Sequence, residues 1–145
     1  MLGRKNYPKD YIDHCRSMMD AQMAAHRALT DAIAASSKTG DSKVGAALDA
    51  FEPPLFNHLV IVLDHYFVHR LVMIAGKDGN PLNEVRLLND SLLLNNGVLK
   101  VDQGIKLDPA ESVLGLKAGD PIRITEPEFV RLADAYFAEI EKKFL

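Results

Sequence analysis

The sequence lacks the features that mark secreted and membrane-spanning proteins. Cys15 is the single cysteine among 145 residues, so no disulfide can form within the chain, which fits a reducing compartment. The opening residues contain no apolar stretch typical of a signal peptide. No uninterrupted apolar run exceeds about five residues, whereas a membrane span needs about 20. We therefore expect a soluble cytoplasmic protein with no membrane partner.

Positive charge and catalytic signatures are also scarce. The formal net charge is -3, and basic residues form no cluster larger than pairs such as Arg4-Lys5 and Lys142-Lys143. A protein that binds the nucleic-acid backbone needs a basic patch, so no nucleic-acid partner is expected. The chain contains no Walker loop, G-x-S-x-G, G-x-G-x-x-G or C-x-x-C motif. The sequence thus leaves open whether the protein is an enzyme.

Helical periodicity dominates the first half of the chain, which we read as part of a single domain spanning 1–145. Residues 11–36 gather apolar side chains on one face and charged ones on the other, which predicts a first helix. A polar, glycine-containing connector follows at 36–43. After Pro53-Pro54, residues 55–75 contain no glycine or proline and are too numerous for one strand. They predict a second, central helix.

The second half of the chain mixes helical and β-prone segments. A third helix is predicted at 81–95, and a capping box starts a last helix at 125–144. Between them, 98–125 is β-prone, and segments 112–116 and 121–125 read as a hairpin with a four-residue loop. The predicted fold is α+β but predominantly α: a bundle of three to four main helices with a small antiparallel β hairpin before the last helix.

A histidine stripe runs along the predicted second helix. At about 100° per residue, His58, His65 and His69 fall within roughly 40° of one another on an otherwise apolar helix. The helix is polar only in a narrow sector near Asp64 and Arg70, so we expect it to be covered on most other sides. The stripe then lies in the interior, as a hydrogen-bonded polar seam or as part of a ligand site.

Metal ligation is the most specific reading of the stripe. His65 and His69 have the i,i+4 spacing with which one helical face chelates an ion such as zinc, although HYFVH lacks the glutamate of an HExxH protease. His58 lies two turns from His65, about 10.5 Å along the axis, so the three cannot easily share one ion. Further ligands must come from other helices, and the candidates are His26, Gln22 and Glu84.

Other features have simpler interpretations. The turn at 76–81 leads into a helix N-terminus that could hold an anion, but a turn capped by Asn80 with Pro81 at the first helical position explains it, so no anion site is assigned. Cys15, beside Met18 and Met19, is read as core packing.

The run FNHLVIVLDHYFVHRL, followed by GKDGNPLNEVRLLNDSL, resembles a small uncharacterised bacterial protein family. The resemblance covers about residues 50–145 and implies no activity. The second helix is also similar, over that one helix, to the metal-carrying helices of DinB-like bundles, which use histidines from separate helices. The HxxxH expected late in a DinB-like chain is missing here, so no ligand assignment follows from this similarity.

Two functions remain open from the sequence. The first is the binding of a metal ion, such as zinc, or of a small-molecule ligand through a histidine-lined helix in the bundle interior. Its site residues would be His65, His69, His58, His26, Glu84 and Gln22. The alternative is a non-catalytic homodimeric structural or interaction protein whose buried histidines are only hydrogen-bonded, because a helix apolar on nearly every side has few partner helices to cover it.

Overall fold

The computed structural model describes residues 3–36, 42–102 and 104–145. Most of the predicted connector at 36–43 lies outside these residues. The described chain forms the helices α1 (Lys9–Ala35), α2 (Ser42–His65), α3 (Val72–Ala75), α4 (Pro81–Leu94) and α5 (Glu126–Phe144). Helices α2, α4 and α5 pack against one another, and α1 lies against α5. The prediction of a helical bundle is confirmed.

The α+β class and its hairpin are wrong, because the residues that the structure describes contain no β-strand. The segment between α4 and α5 is extended chain and turns. A single antiparallel bridge joins Val98 to Pro121. Around it, the Leu99 N–H donates to the Asp120 carbonyl at 2.9 Å, and the Ile122 N–H donates to the Gly97 carbonyl at 2.8 Å. The piece at 121–122 therefore pairs with 97–99 and not with 112–116.

Glu84 of α4 explains why the 112–116 segment forms no strand. Its two carboxylate oxygens accept hydrogen bonds from the backbone N–H groups of Val113, at 2.8 Å, and Leu114, at 3.0 Å. The hydroxyl of Ser112 accepts from the N–H of Gly115 in addition. Backbone donors that bind side chains cannot also join a β ladder. The buried Glu84 side chain, which belongs to α4, thus binds the backbone N–H groups that a hairpin would need for strand pairing.

Helix α2 begins and ends earlier than the sequence predicts. It passes through Pro53-Pro54 and ends at His65, and α3 is a separate short helix. After His65 the backbone tightens, since the N–H of Phe67 donates to the carbonyl of Asp64, three residues back. Such i→i+3 bonds are typical of a 3₁₀-type turn. The predicted single helix at 55–75 is therefore divided by a turn.

The core lies between α2, α4, α5 and the first half of α1. The ring of Phe67 contacts Tyr7 edge-on, with centroids 5.0 Å apart, and also lies against Tyr136 and Phe137. Cys15 is fully buried, which confirms its reading as a packing residue. Burying each large apolar side chain contributes about 1.5–3 kcal/mol, so this aromatic cluster supplies much of the stability.

One helical stretch in the described chain, Lys43–His65 of α2, is long and apolar enough to cross a membrane by length and composition. A single stretch of this kind is compatible with a soluble protein. Only 22% of its most apolar window is buried, however. Helix α2 therefore buries Phe56, Val60 and Leu63 in the core and leaves other apolar side chains, such as Phe51 and Val62, exposed.

Candidate functional site

The histidine stripe lies on the surface of the protein. His58 and His65 are exposed on α2, and His69 is exposed in the turn beyond the helix. The side of the helix that faces the interior carries Asp64 instead, which is 7% exposed, and it meets Arg70, which is 8% exposed. The structure therefore reverses the predicted orientation: the polar sector is buried and the histidine face is turned outward.

The buried polar sector is an ion pair. Arg70 Nη2 lies 2.9 Å from Asp64 Oδ1, while Arg70 Nη1 donates to the Phe67 carbonyl at 3.0 Å and to the Tyr136 hydroxyl at 3.3 Å. Burial raises the pKa of the Tyr136 phenol well above its ordinary value, so the phenol stays neutral. These partners satisfy the buried charges. Through them, Arg70 joins the end of α2 to Tyr136 of α5.

His65 and His69 lose the geometry of a helical chelating pair because α2 ends at His65. A 3₁₀-type turn has about three residues per revolution, so two side chains four residues apart point about 120° away from each other. In an α-helix the same two side chains are only about 40° apart. Both histidines line a surface cleft of about 390 Å³, together with Arg4 and Tyr11. The predicted i,i+4 site is thus replaced by two side chains on the wall of a cleft.

The polar groups around that cleft are mostly engaged within the chain. The Arg4 backbone N–H donates to the His69 carbonyl at 2.7 Å, and its guanidinium lies 5.6 Å from the centre of the Tyr7 ring. The Tyr11 hydroxyl donates to the Tyr66 carbonyl. Burial is the main cause that raises the pKa of Tyr11 to about 12, so this phenol is not an acid–base group near neutral pH.

His26 belongs to a different cluster from the stripe. Its Nε2 lies 3.0 Å from Glu52 Oε2 on α2, and its Nδ1 lies 3.6 Å from Glu126 Oε2 on α5. Arg27 contacts the same Glu126 carboxylate at 3.0 Å. His26 therefore joins α1 to α2 through Nε2, and its buried Nδ1 has no hydrogen-bond partner among the described residues.

The remaining predicted donors are also separate from the stripe. Glu84 is buried, and burial raises the pKa of its carboxyl although the hydrogen bonds from Val113 and Leu114 act to lower it. Gln22 is exposed on α1. Across the described ranges, no group of three or more histidine, cysteine, aspartate or glutamate residues could hold a metal ion. The six predicted residues do not form one site within the chain.

The turn before α4 is capped, as predicted. Asn80 Oδ1 accepts hydrogen bonds from the backbone N–H groups of Leu82, at 3.0 Å, and Asn83, at 3.2 Å, and Pro81 occupies the first turn. The Asn83 side chain donates to the Asp78 carbonyl at 2.7 Å. The helix N-terminal donors that would bind an anion are therefore already used by the turn itself.

The exposed feature that the sequence predicted only in part is an apolar face on α2, called here the α2 face. Its members, spaced three and four residues apart on one side of the helix, are Phe51, Pro54, His58, Ile61, Val62 and His65. The spacing of three and four residues could have indicated this face in the sequence. The prediction did not find it because it begins the helix only after Pro53-Pro54, which excludes Phe51 and Pro54.

Helix α4 extends this face. A groove of about 530 Å³ is lined by His58, Ile61 and Leu93, and a second, of about 340 Å³, by Val62, His65 and the same Ile61 and Leu93. The shared residues make one continuous surface. Val62 is 41% exposed and Leu93 60%, so these are large apolar side chains in contact with solvent.

Comparison of the chain with protein-family models, with curated proteins and with solved structures finds no match. The two resemblances noted in the sequence stay predictions. Since a fold alone does not imply a function, a function for this chain rests on its own surfaces and their chemistry.

Proposed function

We propose that this protein is a non-catalytic interaction protein that forms a homodimer through the α2 face. The supporting observation is the continuous apolar surface of this face and Leu93. Phe51, at 48% exposure, Val62, at 41%, and Leu93, at 60%, are the large apolar side chains that this surface presents to solvent. An exposed contiguous apolar patch marks an interaction site.

The spacing of the α2 face matches that of helices that pair with another helix. Phe51, His58 and His65 recur every seven residues, with Pro54 and Ile61 between them. This is the spacing of the a and d positions of a helix–helix seam, with histidine at two of the a positions. Because the fully buried Phe56, Val60 and Leu63 hold the opposite side of α2 in the core, this seam points outward, where a second molecule can cover it.

The charges at the two ends of the face favour a second copy that runs antiparallel. Asp49 is exposed at the N-terminal end, where it lines the same groove as His58, and Arg4 is exposed near the other end, where it lines the same cleft as His65. An antiparallel α2–α2 contact brings Asp49 of each subunit towards the Arg4 end of the other. Such complementarity selects one orientation.

A lipid surface is a weaker partner for this face. Helices that lie on membranes carry a lysine- and arginine-rich polar side, whereas the polar side of α2 contributes Asp64 to a buried ion pair. The net charge of -3 also gives no general attraction to anionic lipid. A protein partner that offers an apolar helix suits the observed surface better.

Analytical ultracentrifugation and light scattering test the proposal. Wild-type protein should show twice the 16.0 kDa chain mass at micromolar concentration. Val62→Glu should be monomeric with unchanged helical circular dichroism, because a charge would be buried near the centre of the contact. Leu29→Glu, which alters an equally exposed apolar residue on α1, should remain dimeric.

Three results would contradict the proposal. A wild-type chain that stays monomeric over the whole concentration series is one. A Val62→Glu variant that is folded and still dimeric is another. A monomer that binds neutral phosphatidylcholine vesicles, and loses this binding in Val62→Glu, would assign the face to a membrane.

A further inference from the structure

We propose that the cleft between the N-terminal segment and the end of α2 binds a small aromatic molecule that carries a carboxylate or a phosphate group. Arg4, His65 and His69 bind the negatively charged oxygens, and the ligand ring packs against Tyr11. The inference goes beyond the proposed function and does not depend on the dimer, since every residue that lines the cleft belongs to one chain.

Main-chain hydrogen bonds hold the two walls of the cleft together. The Leu71 N–H donates to the Arg4 carbonyl at 2.8 Å, beside the bond that the Arg4 N–H makes to the His69 carbonyl. This close approach needs a glycine before Arg4, because a Cβ at Gly3 would lie only 2.8 Å from Leu71 Cα. Since the walls are already ordered before a ligand enters, binding costs little conformational entropy of the chain.

Three nitrogen-bearing side chains of the cleft are available to a ligand. Within the part of the chain that the structure describes, the rings of His65 and His69 make no hydrogen bond, and the Arg4 guanidinium contacts no carboxylate. All three residues are exposed. The described residues that line the cleft include no aspartate or glutamate. An unpaired guanidinium beside two imidazoles attracts an oxyanion and can bind it through charge-assisted hydrogen bonds.

Tyrosine rings form much of the remaining surface of the cleft. Tyr7 and Tyr11 stack with their ring centroids 5.7 Å apart and an angle of 18° between their planes, and Tyr66 lines the same cleft. The Tyr11 hydroxyl is already bonded to the Tyr66 carbonyl, so what Tyr11 offers a ligand is its ring, which is 38% exposed as a residue. Aromatic rings pack on one another by offset stacking or edge-to-face contact.

The size of the cleft narrows the ligand further. Its volume of about 390 Å³ lies near the lower end of the range for small-molecule pockets, roughly 300–1,000 Å³. A molecule with one ring and one acidic group therefore suits it. Phenyl phosphate and benzoate both have this chemistry, and they differ only in the kind of oxyanion.

Calorimetric titration with phenyl phosphate and with benzoate tests the inference, with the oligomeric state measured in parallel. The compound that binds more tightly identifies the oxyanion that the cleft prefers. Phenol lacks the charge, and inorganic phosphate lacks the ring. Each should bind at least about tenfold more weakly than phenyl phosphate, because each loses one of the two interactions.

Two exposed residues of the cleft provide the variants. Arg4→Gln and His69→Ala should each weaken the binding of phenyl phosphate about tenfold, because a charge-assisted hydrogen bond is lost. Their circular dichroism should be unchanged, since both side chains are exposed. Lys5→Gln is the matched control. It removes the same charge from the next residue, which does not line the cleft, and it should bind like the wild type.

Nuclear magnetic resonance locates the bound ligand. The ring-proton signals of His65 and His69 should shift when phenyl phosphate is added at constant pH, because an aromatic ring and a charge arrive beside them. The signals of His58, which lines a different groove, should stay in place.

The other outcomes are equally defined. Wild-type protein that binds neither phenyl phosphate nor benzoate refutes the site, and so does phenol that binds as tightly as phenyl phosphate. An equal loss in Lys5→Gln and Arg4→Gln shows only general electrostatic attraction and refutes it as well. Signals that shift at His58 and not at His65 and His69 place the ligand elsewhere, which again refutes it. A wild-type monomer that binds phenyl phosphate in the cleft refutes the proposed function and supports this inference.

Discussion

Arg70 lies 2.9 Å from Asp64, six residues earlier in the chain, and the two form an ion pair in the protein interior. Asp64 is in the last turn of α2, and Arg70 follows the turn that ends it. Together with the fully buried Phe56, Val60 and Leu63, the pair holds one side of α2 in the core. The histidine-bearing side lies on the surface, where the proposed dimer forms.

Removing one partner of this pair should destabilise the protein strongly. Arg70→Ala leaves the Asp64 carboxylate buried without its counter-charge, and such changes cost about 3–5 kcal/mol. Urea unfolding followed by circular dichroism measures the loss. Asp64→Leu combined with Arg70→Met should recover most of it, because apolar side chains of similar volume replace buried pairs without a net cost.

The exposed Lys9–Asp13 pair provides the matched control. Its atoms lie 2.8 Å apart, but both side chains are more than half exposed. Lys9→Ala should change stability little, because water screens exposed pairs. If Arg70→Ala is as mild as Lys9→Ala, the Asp64–Arg70 pair does not hold α2 in place.

Glu84→Gln should loosen the segment that precedes α5. The amide can accept through one oxygen only, so one of the two backbone donors, from Val113 or Leu114, loses its partner. A lost hydrogen bond to a charged group costs about 1.5–3 kcal/mol. Hydrogen exchange should quicken at these two amides and stay unchanged at Leu99, whose N–H bonds the Asp120 carbonyl.

The pH dependence of stability gives a second test of Glu84. Burial raises the pKa of its carboxyl in the folded protein above the ordinary value of 4.5. Between pH about 4.5 and the raised pKa, the folded state binds more protons than the unfolded state. The free energy of unfolding therefore falls as pH rises through this range. The wild-type stability relative to Glu84→Gln should therefore decrease over this range. A relative stability that increases there would contradict the raised pKa.

Thr125→Ala should destabilise α5 at its start. The Thr125 hydroxyl and the Glu128 side chain form a reciprocal capping box, and losing such a cap costs about 0.5–2 kcal/mol. Thermal unfolding measures the effect. Thr30→Ala serves as control, since the Thr30 hydroxyl only bonds the Arg27 carbonyl within α1, and this change should be nearly neutral. Equal effects in the two variants would show that the cap contributes little.

Features that depend on neighbouring residues could be predicted from the sequence. The Asn80 cap and the capping box at Thr125 are confirmed because each depends on residues within one helical turn. The hairpin was wrong because strand pairing depends on distant partners. Nothing within 112–116 reveals that Glu84, about 30 residues earlier in the chain, accepts hydrogen bonds from its backbone.

Two residues of the α2 face, His58 and His65, are among the six site residues predicted from the sequence, but the prediction places them in the interior. The spacing of His58 and His65 is readable in the sequence, whereas the interior position assigned to them is not what the structure shows. An apolar helix with one polar sector can bury either side. Burying the polar side is favourable only when another residue neutralises it, and that residue, Arg70, lies beyond the end of the helix.

By itself, the sequence determined that the chain forms helices and that Asn80 and Thr125 cap two of them, because apolar periodicity and capping act over one or two turns. Only the tertiary structure decided that α2 ends at His65 and turns its histidines outward. The reason is that a buried charge must find its partner wherever the fold supplies one. Here Arg70, Phe67 and Tyr136 converge on the Asp64 side of the helix.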